Sequence, residues 1–259
     1  MAFNQLLEFL EANESLDLWQ ACYRRSHSTE TALTAVTKDI RYAIEELKVT
    51  ILILSDFLKA FDSIPHQLLQ KLRTFYLSNP TITWFYNYIC ERFQPVINED
   101  GTVFSWPKSS SGIPQGSKFV PLLFVFFIKN LPTILPGVLY MLYADDAQVY
   151  GHFTLSEINE DIELMQHNAQ AVFDWATVNG LKLNVKKTKA MIFGSTRNLA
   201  MRPNNLPQIK INGSPISYVK QVKNLGLLMT PTLNWQPQIA SITNKVYAIL
   251  SSLSFYRKS

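Results

Sequence analysis

Acidic residues stop at Asp174. Beyond it twelve lysines and arginines follow (Lys182, Lys186, Lys187, Lys189, Arg197, Arg202, Lys210, Lys220, Lys223, Lys245, Arg257 and Lys258), so residues 1–174 carry a net −8 and the remainder +12. An acid-free half with that excess points to a polyanionic ligand, held with an affinity that falls as salt rises. Cysteine is scarce too: Cys22 and Cys90 are the only two, which excludes a disulfide framework or a cysteine metal motif. A reducing compartment is the simplest reading. Long hydrophobic runs are also missing. The most apolar stretch, Phe119 to Ile128, contains Pro121 and is too short for a bilayer, so it reads as a buried helix. The first residues, Met1 to Glu8, have no basic n-region and reach an acid early, unlike a signal peptide. The expectation is an intracellular protein of nucleus or cytoplasm, not secreted and not in a membrane. Repeats, low-complexity segments and clear linkers are absent, and 259 residues with 47% hydrophobic content can bury a sizeable core, as one domain or several subdomains.

Two apolar runs end in carboxylates. Val49 to Leu54 is short, rich in β-branched residues and apolar throughout, as in a strand buried on both faces, with Asp56 just past its end. Val138 to Tyr143 leads through Ala144-Asp145-Asp146 into Ala147-Gln148-Val149-Tyr150, two strands joined by a tight turn that holds Asp145 and Asp146. If the segments pair side by side, three carboxylates converge and repel unless cations sit among them. Magnesium, with manganese as a substitute, suits such hard oxygen donors and bridges carboxylates to phosphates. Two ions about 3.5–4 Å apart would activate a hydroxyl and neutralise a leaving pyrophosphate. Alone, either element has a plainer account: paired Asp in a turn is ordinary solvated turn chemistry, and Asp after a strand is often a helix cap.

Further motifs accompany them. Phe57-Leu58-Lys59-Ala60-Phe61-Asp62 follows Asp56; Ser111-Gly112-Ile113-Pro114-Gln115-Gly116-Ser117 precedes the Tyr-Ala-Asp-Asp box; Gly180-Leu181-Lys182-Leu183-Asn184-Val185-Lys186-Lys187 follows it. Upstream stands Tyr23-Arg24-Arg25-Ser26-His27-Ser28-Thr29-Glu30, downstream Val222-Lys223-Asn224-Leu225-Gly226. In order and spacing this set resembles the reverse transcriptases of non-LTR retrotransposons, in the jockey and chicken-repeat-like groups, from about Phe3 to Leu253.

The resemblance implies an RNA-directed DNA polymerase that uses magnesium, an RNA template, a DNA primer and deoxynucleoside triphosphates; protein partners stay unknown. It implies Asp56 and Asp145 as principal metal ligands, Asp146 as a third, and a backbone carbonyl of Phe57 facing the metal. Phe61 would lie beneath the sugar and exclude a 2′-hydroxyl, against the plainer account of a core aromatic. Gly112, Pro114, Gln115 and Gly116 would contact nucleotide and template, with Arg24 in the same role, although Gly-x-Pro-x-Gly is also common loop punctuation. Lys187 would neutralise or protonate the pyrophosphate, or else be a solvated lysine. The fold class implied is α+β: a right-hand polymerase palm, an antiparallel sheet backed by helices, with partial fingers. Residues 1–48 would be partial fingers, 49–195 the palm with a nucleotide-loop insertion, 196–235 the primer-grip hairpin region and 236–259 the start of a thumb. On this reading the chain looks like a fragment or trimmed gene product, lacking an upstream endonuclease and most of a thumb. Departures from the family pattern, chiefly Lys118-Phe119-Val120 where small and apolar residues are usual and Leu58 where serine is common, threaten activity and not the metal ligands. The rival readings are a catalytically idle nucleic-acid-binding relic and a maturase-like splicing factor.

Local signals complete the reading. Helices are expected from Thr31 to Leu47, from a Ser63 cap through Leu72, from Leu155 to Val178 with Asn179-Gly180 ending it, and from near Pro237 to Leu253. Asn212-Gly213 signals a hairpin, and Arg197 to Pro207 reads as an irregular loop. Tyr218, Trp235 and Tyr247 interleave with lysines and could stack on bases, with core packing the commoner fate.

Overall fold

A strand with both faces covered organises everything else. The computed structural model describes residues 2–256 except 14, 23, 67, 91, 94, 107, 110 and 115. Helices α1 (Ala2–Ala12) and α2 (Thr29–Glu45) precede that strand, β1 (Val49–Leu58). Three helices, α3 (Ala60–Ser63), α4 (Leu68–Leu72) and α5 (Asn79–Cys90), then lead to the hairpin β2 (Val96–Ile97) and β3 (Val103–Ser105). Next come α6 (Phe119–Ile128), β4 (Leu139–Tyr143), β5 (Asp146–Phe153), α7 (Ile158–Val178), β6 (Lys182–Leu183) and β7 (Lys189–Phe193). The last part holds α8 (Thr196–Met201), β8 (Lys210–Ile211), β9 (Ser214–Pro215), β10 (Ser217–Tyr218), β11 (Val222–Asn224), β12 (Leu227–Met229) and α9 (Gln236–Tyr256).

The main sheet has the order β10-β7-β1-β5-β4, with β6 paired to the far end of β1. Its pairings are antiparallel apart from β10 with β7. Side chains alternate across β1. Ile51, Ile53 and Phe57 join a core with α6 and α7, while Leu52 joins a second core with Val36 and Ile40 of α2. Two covered faces explain why the run shows no polar alternation.

Helix α6 is apolar all round and Leu122 through Ile128 are buried without a break, as a helix enclosed by other elements requires. Burying Phe124, Phe126 and Phe127, each at most 1% exposed, contributes roughly 1.5–3 kcal/mol per side chain. Helix α7 buries one stripe, Ile158, Ile162, Met165, Ala169, Val172 and Trp175, against the same core. Ser28 starts α2 through a reciprocal capping box with Thr31. No helix among the described residues is long and apolar enough to cross a membrane.

Four local readings change. The strand runs through Asp56 to Leu58, so Asp56 lies inside it. Asp146 opens β5, leaving a two-residue turn of Ala144 and Asp145. Ser63 ends the short α3 instead of capping a longer helix, because Pro65 forms a bridge to Ser111 and draws the chain away. Within Arg197 to Pro207, residues up to Met201 form α8, capped by the Ser195 hydroxyl, which accepts from the Asn198 amide. Phe119 opens α6. Its ring packs edge-on against Phe3, Trp84 and Phe85.

Candidate active site

Asp56 and Asp146 are register partners across β1 and β5, and Tyr143 pairs with Asp146 from the other side. Alternation places Asp56 on the face of Leu54 and Leu52, and Asp146 on the face of Gln148 and Tyr150. Both carboxylates therefore rise from one face at one end of adjacent strands. Asp145 adjoins them in the turn, where Ala144 has φ 52°. A left-handed alanine costs on the order of 1 kcal/mol, strain concentrated where the carboxylates are presented.

The effect of the shared site shows on Asp146. Asp146 keeps solvent access, yet its carboxyl is pushed up to about 6, first by the desolvating protein around it and then by the charges of Asp145 and Asp56. A cation would relieve that repulsion. Lys187 Nζ already sits 3.7 Å from Asp56 Oδ2, a largely exposed pair weakened by solvent screening. The lysine arrives there because the Asn184 amide donates to the Asp56 carbonyl at 2.7 Å, and the Lys187 and Thr188 amides donate to the Asn184 carbonyl. Among the described residues no group of three or more His, Cys, Asp or Glu closes into a metal cage. The donor set nonetheless suits magnesium, which takes one or two carboxylates and completes its shell with substrate phosphates and water.

The glycine loop that begins at Gly112 is tied to the same end of β1. Gly112 donates to the Ile64 carbonyl at 2.8 Å and Ile113 to the Phe61 carbonyl at 3.0 Å. Gly112 has φ 79°, and a Cβ there would sit 2.9 Å from the Asp62 carbonyl oxygen, so only glycine allows this approach. Its own carbonyl accepts from Arg92 Nη2 at 3.0 Å. Pro114 is half-buried and Gly116 exposed with φ 87°; Gln115 lies outside the described residues. Phe61 is half-buried, its ring 5.0 Å from that of Phe124. The Phe57 ring belongs to the core. Arg24 stands apart from this cluster in its bonding: Nη1 donates to the Asp17 carbonyl at 2.7 Å, in the segment zipped to β4 through Trp19, Ala21 and Leu142.

Sequence reasoning gave no role to Arg92 or Gln148, and quoted Asn184 and Asn224 inside motifs without singling them out. Asn184 had a visible signal, an Asx-type residue heading a basic turn. Gln148 had one also, a lone amide in an apolar strand. Arg92 had none, since its partner is a distant backbone carbonyl.

A strand bearing one aspartate, a hairpin bearing two, and a glycine loop between them match the model of the reverse transcriptase (RNA-dependent DNA polymerase) family over residues 2–229. The chain belongs to the reverse transcriptase family. This reverse transcriptase chain is 25% identical to the RNA-directed DNA polymerase from mobile element jockey of Drosophila funebris, across 98% of the chain and 28% of that relative. It is 25% identical to the probable RNA-directed DNA polymerase from transposon BS of Drosophila melanogaster, across 96% of the chain and 28% of that relative. The chain thus spans just over a quarter of the length of these relatives. Among solved structures, apo telomerase from Candida tropicalis truncated from its C-terminal domain superposes with TM-score 0.62 at 13% identity, over 90% of this chain and 44% of that one. That likeness establishes the fold: the antiparallel-dominated sheet is a polymerase palm.

Proposed function

We propose that this reverse transcriptase domain extends a DNA primer on an RNA template with deoxynucleoside triphosphates. One observation carries the reading: Asp56 and Asp146 are paired strand partners with Asp145 in the adjoining turn. Asp56, Asp145 and Asp146 would hold magnesium, or manganese in its place, which when bound lowers the pKa of the primer hydroxyl and offsets charge on the leaving pyrophosphate. In the reaction the primer 3′-hydroxyl gives up its proton to water, its oxygen forms a bond to the α-phosphorus, and the bond from that phosphorus to the bridging oxygen breaks, releasing pyrophosphate. Lys187 shields Asp56 before substrate arrives and supplies positive charge, or a proton, to the departing pyrophosphate. Phe61, backed by Phe124, forms a floor under the sugar that leaves no room for a 2′-hydroxyl. The Gly112–Gly116 loop offers backbone groups to the nucleotide and template, and Arg92 holds the loop in shape. Arg24 acts further out, along the template.

The divisions at residues 48, 195 and 235 into partial fingers, palm, primer-grip region and thumb start belong to the same proposal, as does action inside the cell, in nucleus or cytoplasm. The test is primer extension on an RNA template. Wild type should incorporate deoxynucleotides with magnesium and stop with chelator, and Asp145→Asn should reduce the rate at least a thousandfold while the fold persists by circular dichroism. Full activity in Asp145→Asn would reject the assignment. Salt-sensitive RNA binding without any extension by wild type would instead favour the idle relic.

A further inference from the structure

Gln148 is fully buried in β5, two residues from Asp146 on the same face. Two strand residues span roughly 7 Å, so what contacts Gln148 borders the carboxylate site. That contact is Asn224, itself 3% exposed at the end of β11. Asn224 Nδ2 donates to Gln148 Oε1 at 2.8 Å and lies 3.6 Å from Met229 Sδ. The neighbours of Gln148 across the strands and in the core beneath are apolar. Leu54 and Met141 are the cross-strand neighbours of Gln148, and Met229 and Leu52 belong to the core beside it. Gln148 Nε2 is buried without a partner.

Stability does not explain such a pair. Burying two amides that share one hydrogen bond and leave a donor unmet is unfavourable, and two apolar side chains of the same shape would serve the core as well or better. What an amide pair supplies is direction. Apolar contacts let a short hairpin slide over a sheet, whereas a bond of fixed length and angle permits one position. The stems of the hairpin are tied to the main sheet, where Val219 donates to the Ala190 carbonyl at 2.9 Å and Gly194 to the Pro231 carbonyl at 3.0 Å, but β11 and β12 themselves pair only with each other, so the tip depends on side-chain contacts for its position. Leu225 and Gly226, with φ 45° and 91°, form its tight turn.

We infer that Gln148 and Asn224 are positioning residues that lock the 222–229 hairpin, within the region read above as the primer grip, to the catalytic strand beside the carboxylates. The primer part rests on the polymerase reading above; the locking part does not.

The decisive variant is Gln148→Leu with Asn224→Leu. It should unfold at the wild-type temperature or higher. Amide hydrogen exchange in residues 222–229 should nevertheless quicken about tenfold, the loss of one buried hydrogen bond, with exchange in β1 and β5 unchanged. In primer extension, KM for primer–template should rise about tenfold while KM for deoxynucleotide and kcat move less than twofold. The exchange Gln148→Asn with Asn224→Gln keeps the combined side-chain length and should restore both readouts. Unchanged hydrogen exchange in a folded double-leucine variant overturns the lock. Quickened exchange with unchanged primer KM overturns the primer-grip role. Should the double-leucine variant not fold, the claim that the pair is dispensable for stability is overturned with it. If wild type extends no primer, the polymerase reading falls, and hydrogen exchange still decides the lock.

Discussion

A carboxylate desolvated by the protein around it, with two like charges for neighbours as well, gives up its proton late, and Asp146 is that group, pushed up to about 6. Its folded pKa stands above its unfolded value of 3.8. Between those values the folded state holds more protons, so its contribution favours the fold at low pH and is lost as pH rises through about 6. Asp146→Asn should therefore unfold at a higher temperature than wild type at pH 7.5, the gap closing as pH falls toward 4. Millimolar magnesium should narrow the gap at pH 7.5 by stabilising wild type alone, and thermal melts followed by circular dichroism measure both effects. A gap independent of pH and magnesium would show that neither burial nor its acidic neighbours hold the Asp146 proton. Phe61 poses a second question on this scale. If its ring is the floor under the sugar, Phe61→Ala should raise the ribonucleotide to deoxynucleotide ratio of kcat/KM at least tenfold; unchanged discrimination would make it only a core aromatic supported by Phe124.

Elements meet around Lys71. From α4 its Nζ donates to the Phe127 carbonyl at 2.8 Å, to Asn130 Oδ1 at 3.1 Å and to Asn179 Oδ1 at 2.7 Å, joining the ends of α6 and α7. It lies 4.5 Å over the Phe127 ring, and burial pulls its pKa down to about 8. Because that folded value lies below the unfolded 10.5, this group's contribution to stability grows as pH rises from about 8 to 10.5. Lys71→Ala leaves three acceptors unmatched and should cost about 1–3 kcal/mol in urea denaturation at pH 7. A change below 0.5 kcal/mol would mean that water replaces the ammonium at no net cost. The element scale also shows which local signals decide structure. Asn212 and Gly213 have φ 48° and 74°, the left-handed pair that an Asn-Gly hairpin turn demands, and no distant contact competes there. Ser63 carried an equally good cap signal and lost it to the pull of Ser111 on Pro65.

Charge belongs to the whole molecule. Lys182, Lys186, Lys187, Arg197, Arg202, Lys210, Lys220, Lys223 and Lys245 are all exposed, without an acid in that part of the sequence to neutralise them. Binding of an RNA–DNA duplex should weaken about a hundredfold between 50 and 200 mM salt, as displacement of counterions by about four phosphate contacts requires. Fluorescence anisotropy across that range tests it, and a flat response would detach the basic half from nucleic acid. The aromatic residues that interleave with these lysines divide at the same scale. Tyr218 and Trp235 pack against the cores, whereas Tyr247 is 65% exposed on α9.

The chain by itself determined the strand and hairpin that carry acids, the long amphipathic α7, the enclosed α6 and the basic half, because each rests on neighbouring residues or on composition. Tertiary structure alone decided that Asp56 faces Asp146, that a backbone bond from Asn184 brings Lys187 to them, and that Gly112 lies against Asp62. Those contacts join residues tens to more than a hundred positions apart. Strand register and loop closure follow from how both faces of β1 are packed, and no local pattern encodes that packing.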